Sequence, residues 1–165
     1  LEAEVSRIYT VVYSGTFTSA GGDVDWLGIK PAANKPIRLR GLILSQISEV
    51  GDAAEEGLNF DIIHMTATVT DGSGGGAVTP AVVDENDAAA GFTCRANDTT
   101  IATTSGTATT RDKVGWNNRN SPFERWWPDD RFAPRAQNAG ALVVRQQTAL
   151  IDDMTGIVTA YIEEY

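Results

Sequence analysis

Apolar residues in this chain come in short runs, broken repeatedly by glycine, proline or polar clusters, and no run holds the spacing of a long amphipathic helix. That pattern restricts the chain to an architecture built from strands. The clearest case is IRLRGLILSQI, residues 37–47, where Ile37, Leu39, Gly41, Ile43, Ser45 and Ile47 share one parity. Arg38 and Arg40 occupy the other, but Leu42 and Leu44 then join them, which predicts a central strand whose two faces are both covered farther along.

Other segments read the same way. Residues 6–13 mix Ile8, Tyr9, Val11, Val12 and Tyr13 without clean alternation, which predicts a twisted or bulged strand. Residues 24–29 form a short element, and residues 58–70 predict a strand whose faces meet different environments along its length. Strand character returns at 92–96, 141–147 and 155–163. Residues 98–110 hold seven threonines among small neighbours, too polar for a central strand and suited to an edge strand with a loop. The run DGSGGG at 71–76 predicts a sharp turn or flexible hairpin loop, one that could also connect two long antiparallel strands. Residues 48–56 predict one helical turn or an ordered loop, and 84–90 a further helical turn.

Roughly seven to nine short strands with glycine-rich turns close most economically as a two-sheet antiparallel sandwich or a jelly roll. The length of 165 residues suits one domain, 1–165, with acidic and glycine-rich loops around 48–57 and 71–91. Threonine, present 18 times, and glycine, present 16 times, support the all-β reading. Apolar residues on both faces of several strands predict either internal sheet packing or a partner subunit.

Charge narrows the partners. With 22 Asp and Glu against 13 Lys and Arg, the net charge is -9, and no Lys/Arg run exists. Nucleic-acid binding needs a concentrated basic surface, and an anionic membrane attracts one, so both partners are disfavoured. No apolar run reaches the length that spans a bilayer, and the opening LEAEVSRIYTVVYSG does not read as an intact export signal. The single cysteine, Cys94, fits synthesis in a reducing cytoplasm.

Few residues offer chemistry. His64 is the only histidine and reads as structural or interfacial, with no second imidazole for a metal site. Cys94 reads as a small buried side chain. The acidic pairs Glu55-Glu56, Asp129-Asp130 and Asp152-Asp153 read as solvated loops, and Asp84 with Asp87 lacks the ligand succession of a calcium loop. DGSGGG lacks the Lys-Ser/Thr of a phosphate loop. The composition therefore calls for no cofactor, no metal and no catalytic residue, and the expected class is non-enzymatic. The most informative segment is VGWNNRNSPFERWW, residues 114–127, with the arginines that follow it. Trp116, Arg119, Phe123, Arg125, Trp126, Trp127 and Arg131 combine the residue types that fill desolvated pockets in protein interfaces. Some of these tryptophans are equally suited to the core, and exposed ones to stacking on sugars.

Several stretches together carry a family likeness: LSQISEVGDAAEE at 44–56, DGSGGG at 71–76 with Thr79-Pro80, DAAAG at 87–91, NDTT at 97–100 and TAYIEE at 159–164. In this order they resemble small structural proteins of tailed phages and prophages. The resemblance implies a virion component, a capsid decoration or cement protein on the outer shell, made in the host cytoplasm. Its implied partners are the major capsid protein and further copies of itself, a trimer being the expected assembly. The alternative class is a carbohydrate-binding host-recognition module of a virion, which needs an exposed tryptophan beside polar groups.

Overall fold

The computed structural model describes residues 6–19, 21–49, 51, 55–120 and 122–165. Its strands in chain order are β1 (Arg7–Phe17), β2 (Val24–Lys30), β3 (Ile37–Gln46), β4 (Gly57–Met65), β5 (Val69–Thr70), β6 (Gly76–Val78) and β7 (Ala81–Val82). They continue as β8 (Thr93–Asp98), β9 (Thr103–Thr104), β10 (Ala108–Asn117), β11 (Phe123–Trp126), β12 (Arg135–Ala136), β13 (Ala141–Gln146) and β14 (Met154–Glu164). Two six-stranded antiparallel sheets pack face to face, and no helix occurs among the described residues. Sheet A runs β11-β3-β14-β1-β7 with β12 also on β3, and sheet B runs β10-β4-β13-β2-β8-β6.

Eight of these strands form a jelly roll. β1 pairs with β14, β2 with β13, β3 with β11 and β4 with β10, so first meets last and the innermost two meet each other. Rolling this ladder brings β14 onto β3 and β13 onto β4, which divides it into two sheets. Residues 66–107 interrupt the roll between β4 and β10. They add β7 to the free edge of β1, and β8 followed by β6 to the free edge of β2. Those edges thereby gain partners for backbone groups that would otherwise invite foreign strands.

Between the sheets lies an aromatic core. Trp26 stacks on Phe17 with centroids 3.8 Å apart and meets Phe60 edge-on at 4.9 Å. Its indole N–H donates to Gln146 Oε1 at 2.8 Å, so the buried ring leaves no unmet donor. A second, smaller cluster forms on the outer side of sheet B, where Ile63, Met65, Ala141 and Val143 pack with Val69 and Ala102 of the inserted segment. This cover explains the two-faced pattern of residues 58–70, although β4 itself stops at Met65 and Ala67 turns the chain with a positive φ of 60°.

Residues 37–47 differ from their predicted parity for a local reason. The pair Tyr161–Gly41 is followed by Ile162–Leu39, so β3 carries Arg40 as an extra residue. This bulge shifts the inward parity: Ile37 and Leu39 point into the core before it, Leu42 and Leu44 after it. One face of the strand is thus buried throughout, and Ile43 is left on the other. In β1 the outcome is reversed. Its register with β14 is unbroken from Arg7–Glu164 to Phe17–Met154, which excludes the bulged of the two expected alternatives, twisted or bulged. The mixed pattern arises because Ile8 and Val12 are apolar residues on the outward face.

The inserted segment corrects two further expectations. DGSGGG does not join two long strands: it links β5 to β6, which pair with β9 and β8 instead of with each other. Glycine is required there by close approach, since a Cβ on Gly75 would collide with the Ala96 carbonyl oxygen. Residues 84–90 hold no helical turn. The Asp87 N–H donates to the Asp84 carbonyl at 3.0 Å, and the Asp84 side chain accepts from Asn86 N–H at 2.9 Å, giving an isolated turn. The element expected over 48–56 lies partly, and the opening segment 1–5 wholly, outside the described residues.

Candidate interaction surface

The aromatic segment is divided between core and surface by strand alternation and by its edge position. β11 pairs only with β3, placing Trp126 opposite Gly41 and Phe123 opposite Leu44. Phe123 turns inward and packs against the core. Trp116 on β10 and Trp127 just after β11 are buried, and the Trp116 ring lies 6.4 Å from Phe60. Trp126 faces outward and is 50% exposed. Arg119 is exposed in the β10–β11 connection, where its N–H donates to Asn117 Oδ1 at 2.9 Å. Arg125 reaches across the open edge of the sandwich to Asp112 on β10 at 2.9 Å, with its guanidinium 5.9 Å from the Trp127 ring. Arg131 pairs with Asp129 at 2.7 Å, farther along the chain. The seven residues therefore do not form one patch. Two tryptophans and Phe123 anchor the core edge, Arg125 ties the sheets, and Trp126 lies on the outer face of sheet A.

That outer face extends well beyond Trp126. Adjacent strands align Trp126, Gly41, Tyr161 and Thr10 in one row, and Glu124, Ile43, Thr159 and Val12 in the next. A third row holds Ser45, Ile157 and Ser14. Glu124 is the only charged residue in the three rows, although the chain carries a net charge of -9. Val12 is 55% exposed, and beyond the end of β3 Ile47 is 65% exposed. Trp126 rests against Tyr161 with ring centroids 5.1 Å apart, keeping its indole flat on the sheet. Along one side runs a charged border, where Arg40 pairs with both Glu163 and Asp130 and Arg38 lies 3.7 Å over the Tyr165 ring. An apolar centre with a charged rim is the layout of a protein-binding surface, and contiguous exposed apolar patches on single chains mark such sites.

Sequence reasoning located Trp126 but missed Val12, Ile43, Ile157 and Tyr161 as a group. The signal was available as irregular alternation in residues 6–13, 37–47 and 155–163. Assigning it to an outer face requires knowing that these three strands are neighbours.

The reactive side chains stand apart from one another. Cys94 is buried on β8, and burial pushes its thiol above the ordinary range, which makes it inert as a nucleophile. His64 on β4 is half-buried, and its Nδ1 lies 3.1 Å from Arg111 Nη2. Burial, together with the Arg111 charge, lowers its pKa. Among the described residues, no group of three or more His, Cys, Asp or Glu converges as a metal centre. In the acidic loop at 84–87, Asp84 Oδ1 accepts from the Asn86 backbone N–H and side-chain amide, both at 2.9 Å. No helix among the described residues is long and apolar enough to cross a membrane. No protein-family model, curated protein or solved structure matches the chain.

Proposed function

We propose that this chain is a non-enzymatic structural protein of a tailed-phage virion, decorating or cementing the outer capsid surface through protein–protein contacts. The observation that carries the reading is the outer face of sheet A, centred on Trp126, Tyr161, Ile43 and Val12 and carrying Glu124 as the one charge in its three rows. A cement protein needs a rigid scaffold and an adhesive surface, and the jelly roll supplies the first while this face supplies the second. The sequence likeness to small phage structural proteins provides the biological context. The partner assigned to the face is the major capsid protein, with self-association, as a trimer, placing copies around a symmetric junction. Synthesis occurs in the host cytoplasm.

The test is addition of purified protein to assembled capsids that lack it, followed by co-sedimentation and challenge with heat or denaturant. Saturable binding and increased resistance to disruption are expected. Absence of both would sink the proposal. The alternative, a carbohydrate-binding host-recognition module, rests on Trp126, the half-exposed indole of the segment. Trp116 and Trp127 are buried and offer no ring face to a sugar. A glycan-array hit abolished by Trp126→Ala, with capsid binding absent, would favour that reading.

A further inference from the structure

We propose that the seam between the two sheets, where β10 meets the β11–β12 connection, is a binding groove for an acidic glycan carrying carboxylates, such as an oligouronate. The groove has two joined concavities. One, of about 340 Å³, is lined by His64, Arg111, Arg131, Phe132, Pro134 and Arg135, with Ala133 at its base. The other, of about 230 Å³, lies beside Arg135, Gln137, Asn138 and Thr66. His64 and Arg135 line both, so one path runs past them. The larger concavity falls in the range of about 300–1,000 Å³ typical of ligand sites.

Charge sets this groove apart from the rest of the molecule. The chain has 22 acidic residues, yet among the described ones none lines either concavity, whereas three arginines and the only histidine do. Arg111 is delivered there by a bulge: Thr110 pairs with Ile63 and Asp112 with Ile62, leaving Arg111 between them without a partner. Its guanidinium can only donate, so His64 Nδ1 accepts the 3.1 Å hydrogen bond and the ring proton sits on Nε2. Arg131 is neutralised by Asp129, but among the described residues Arg111 and Arg135 have no carboxylate partner. Phe132 stands at the mouth, 74% exposed, with the Arg131 guanidinium 5.8 Å from its ring.

These groups match the three parts of an acidic sugar. Planar guanidinium groups bind carboxylates through paired N–H donors. An exposed aromatic ring covers the apolar face of a pyranose. The Gln137 and Asn138 amides each donate and accept, as sugar hydroxyls require. An acidic peptide would satisfy the arginines, whereas a uronate ring also brings an apolar face to Phe132 and hydroxyls to the two amides. A nucleic acid would need a longer basic track than this chain carries. The groove shares no residue with the outer face of sheet A, so this proposal and the capsid reading can fail separately.

The experiment is calorimetric titration of the full chain with trigalacturonate, maltotriose, triglutamate and inorganic phosphate. It is paired with proton NMR of His64, whose resonance is unique because the chain has one histidine. Trigalacturonate is expected to bind at least tenfold more tightly than the other three. It should also raise the pKa of His64, which is otherwise surrounded by Arg111, Arg131 and Arg135. Arg111→Gln, Arg135→Gln and Phe132→Ala should each weaken binding about tenfold or more, while Lys113→Ala leaves it unchanged. Equal binding of triglutamate or phosphate would overturn the glycan assignment in favour of an acidic peptide or a simple anion. No binding of trigalacturonate, an unmoved His64 titration in the unmodified chain, or full binding by Arg135→Gln would each overturn the site.

Discussion

Asp25 and Arg145 stand opposite each other on neighbouring strands β2 and β13, both buried, and are joined by two hydrogen bonds, Nε to Oδ1 at 2.6 Å and Nη2 to Oδ2 at 3.2 Å. The pair also holds the inserted segment. Ala102 N–H donates to Asp25 Oδ2 at 2.7 Å, and Arg145 Nη2 donates to the Ala102 carbonyl at 3.0 Å. One ion pair thereby connects two core strands to the segment that covers the outer side of sheet B.

Removing one partner leaves the other charge buried and unpaired. Asp25→Ala is therefore expected to destabilise the fold by about 3–5 kcal/mol, measured by denaturant unfolding. Proteolysis under native conditions should then cut first within residues 66–107, because the Ala102 N–H loses its acceptor and Arg145, which holds the Ala102 carbonyl, loses the partner that positions it.

Gly41 lets the Trp126 indole lie flat on sheet A. A Cβ there would come within 2.5 Å of the ring atom Cζ3. Because the ring is half-exposed it can swing away, so Gly41→Ala should cost only about 1 kcal/mol. The expected sign is a red shift in tryptophan emission relative to the parent chain, as the displaced indole meets more water.

Val12→Lys and Ile43→Lys test the outer face. Val12 is more than half exposed and Ile43 lies beside Thr159 on the same side, so the expected stability change at Val12 is within about 0.5 kcal/mol. Capsid co-sedimentation should be lost in both variants while thermal unfolding of Val12→Lys stays near that of the parent.

His64 makes stability depend on pH. Burial and then Arg111 hold its folded pKa below the ordinary value of 6.5, so the unfolded chain binds the proton more readily. The contribution is fully present above pH 6.5 and is lost as pH falls through the lowered folded value. In His64→Gln that component should vanish, so the difference in melting temperature between variant and parent should change sign or shrink across this interval.

Much of the fold was legible from local pattern. The strands at 24–29, 37–47, 141–147 and 155–163 correspond to β2, β3, β13 and β14, because short apolar runs rich in β-formers and bounded by turn residues report strands even when both faces are covered. The threonine-rich stretch leads into β10, an edge strand of sheet B as its polarity required. The breaks at 71–76 and 84–90 were legible, but not the strands that each one joins. Glycine and acidic residues announce a reversal of the chain, but which strands pair around it depends on residues distant in sequence.

What the sequence determined by itself was the all-β class and the apolar residue types along each strand, since both follow from patterns within a few residues. Which of three neighbouring-looking tryptophans is buried was decided only by tertiary structure: β11 sits at the sheet edge, so Trp126 faces out while Trp127 turns into the seam. The apolar outer face and the basic groove are likewise products of assembly. Val12, Ile43 and Tyr161 become neighbours only when β1, β14 and β3 lie side by side, and Arg111 meets His64 only across the β10–β4 pairing. Short-range periodicity records which way a side chain points from its own strand, whereas a surface is made by strands far apart in the chain.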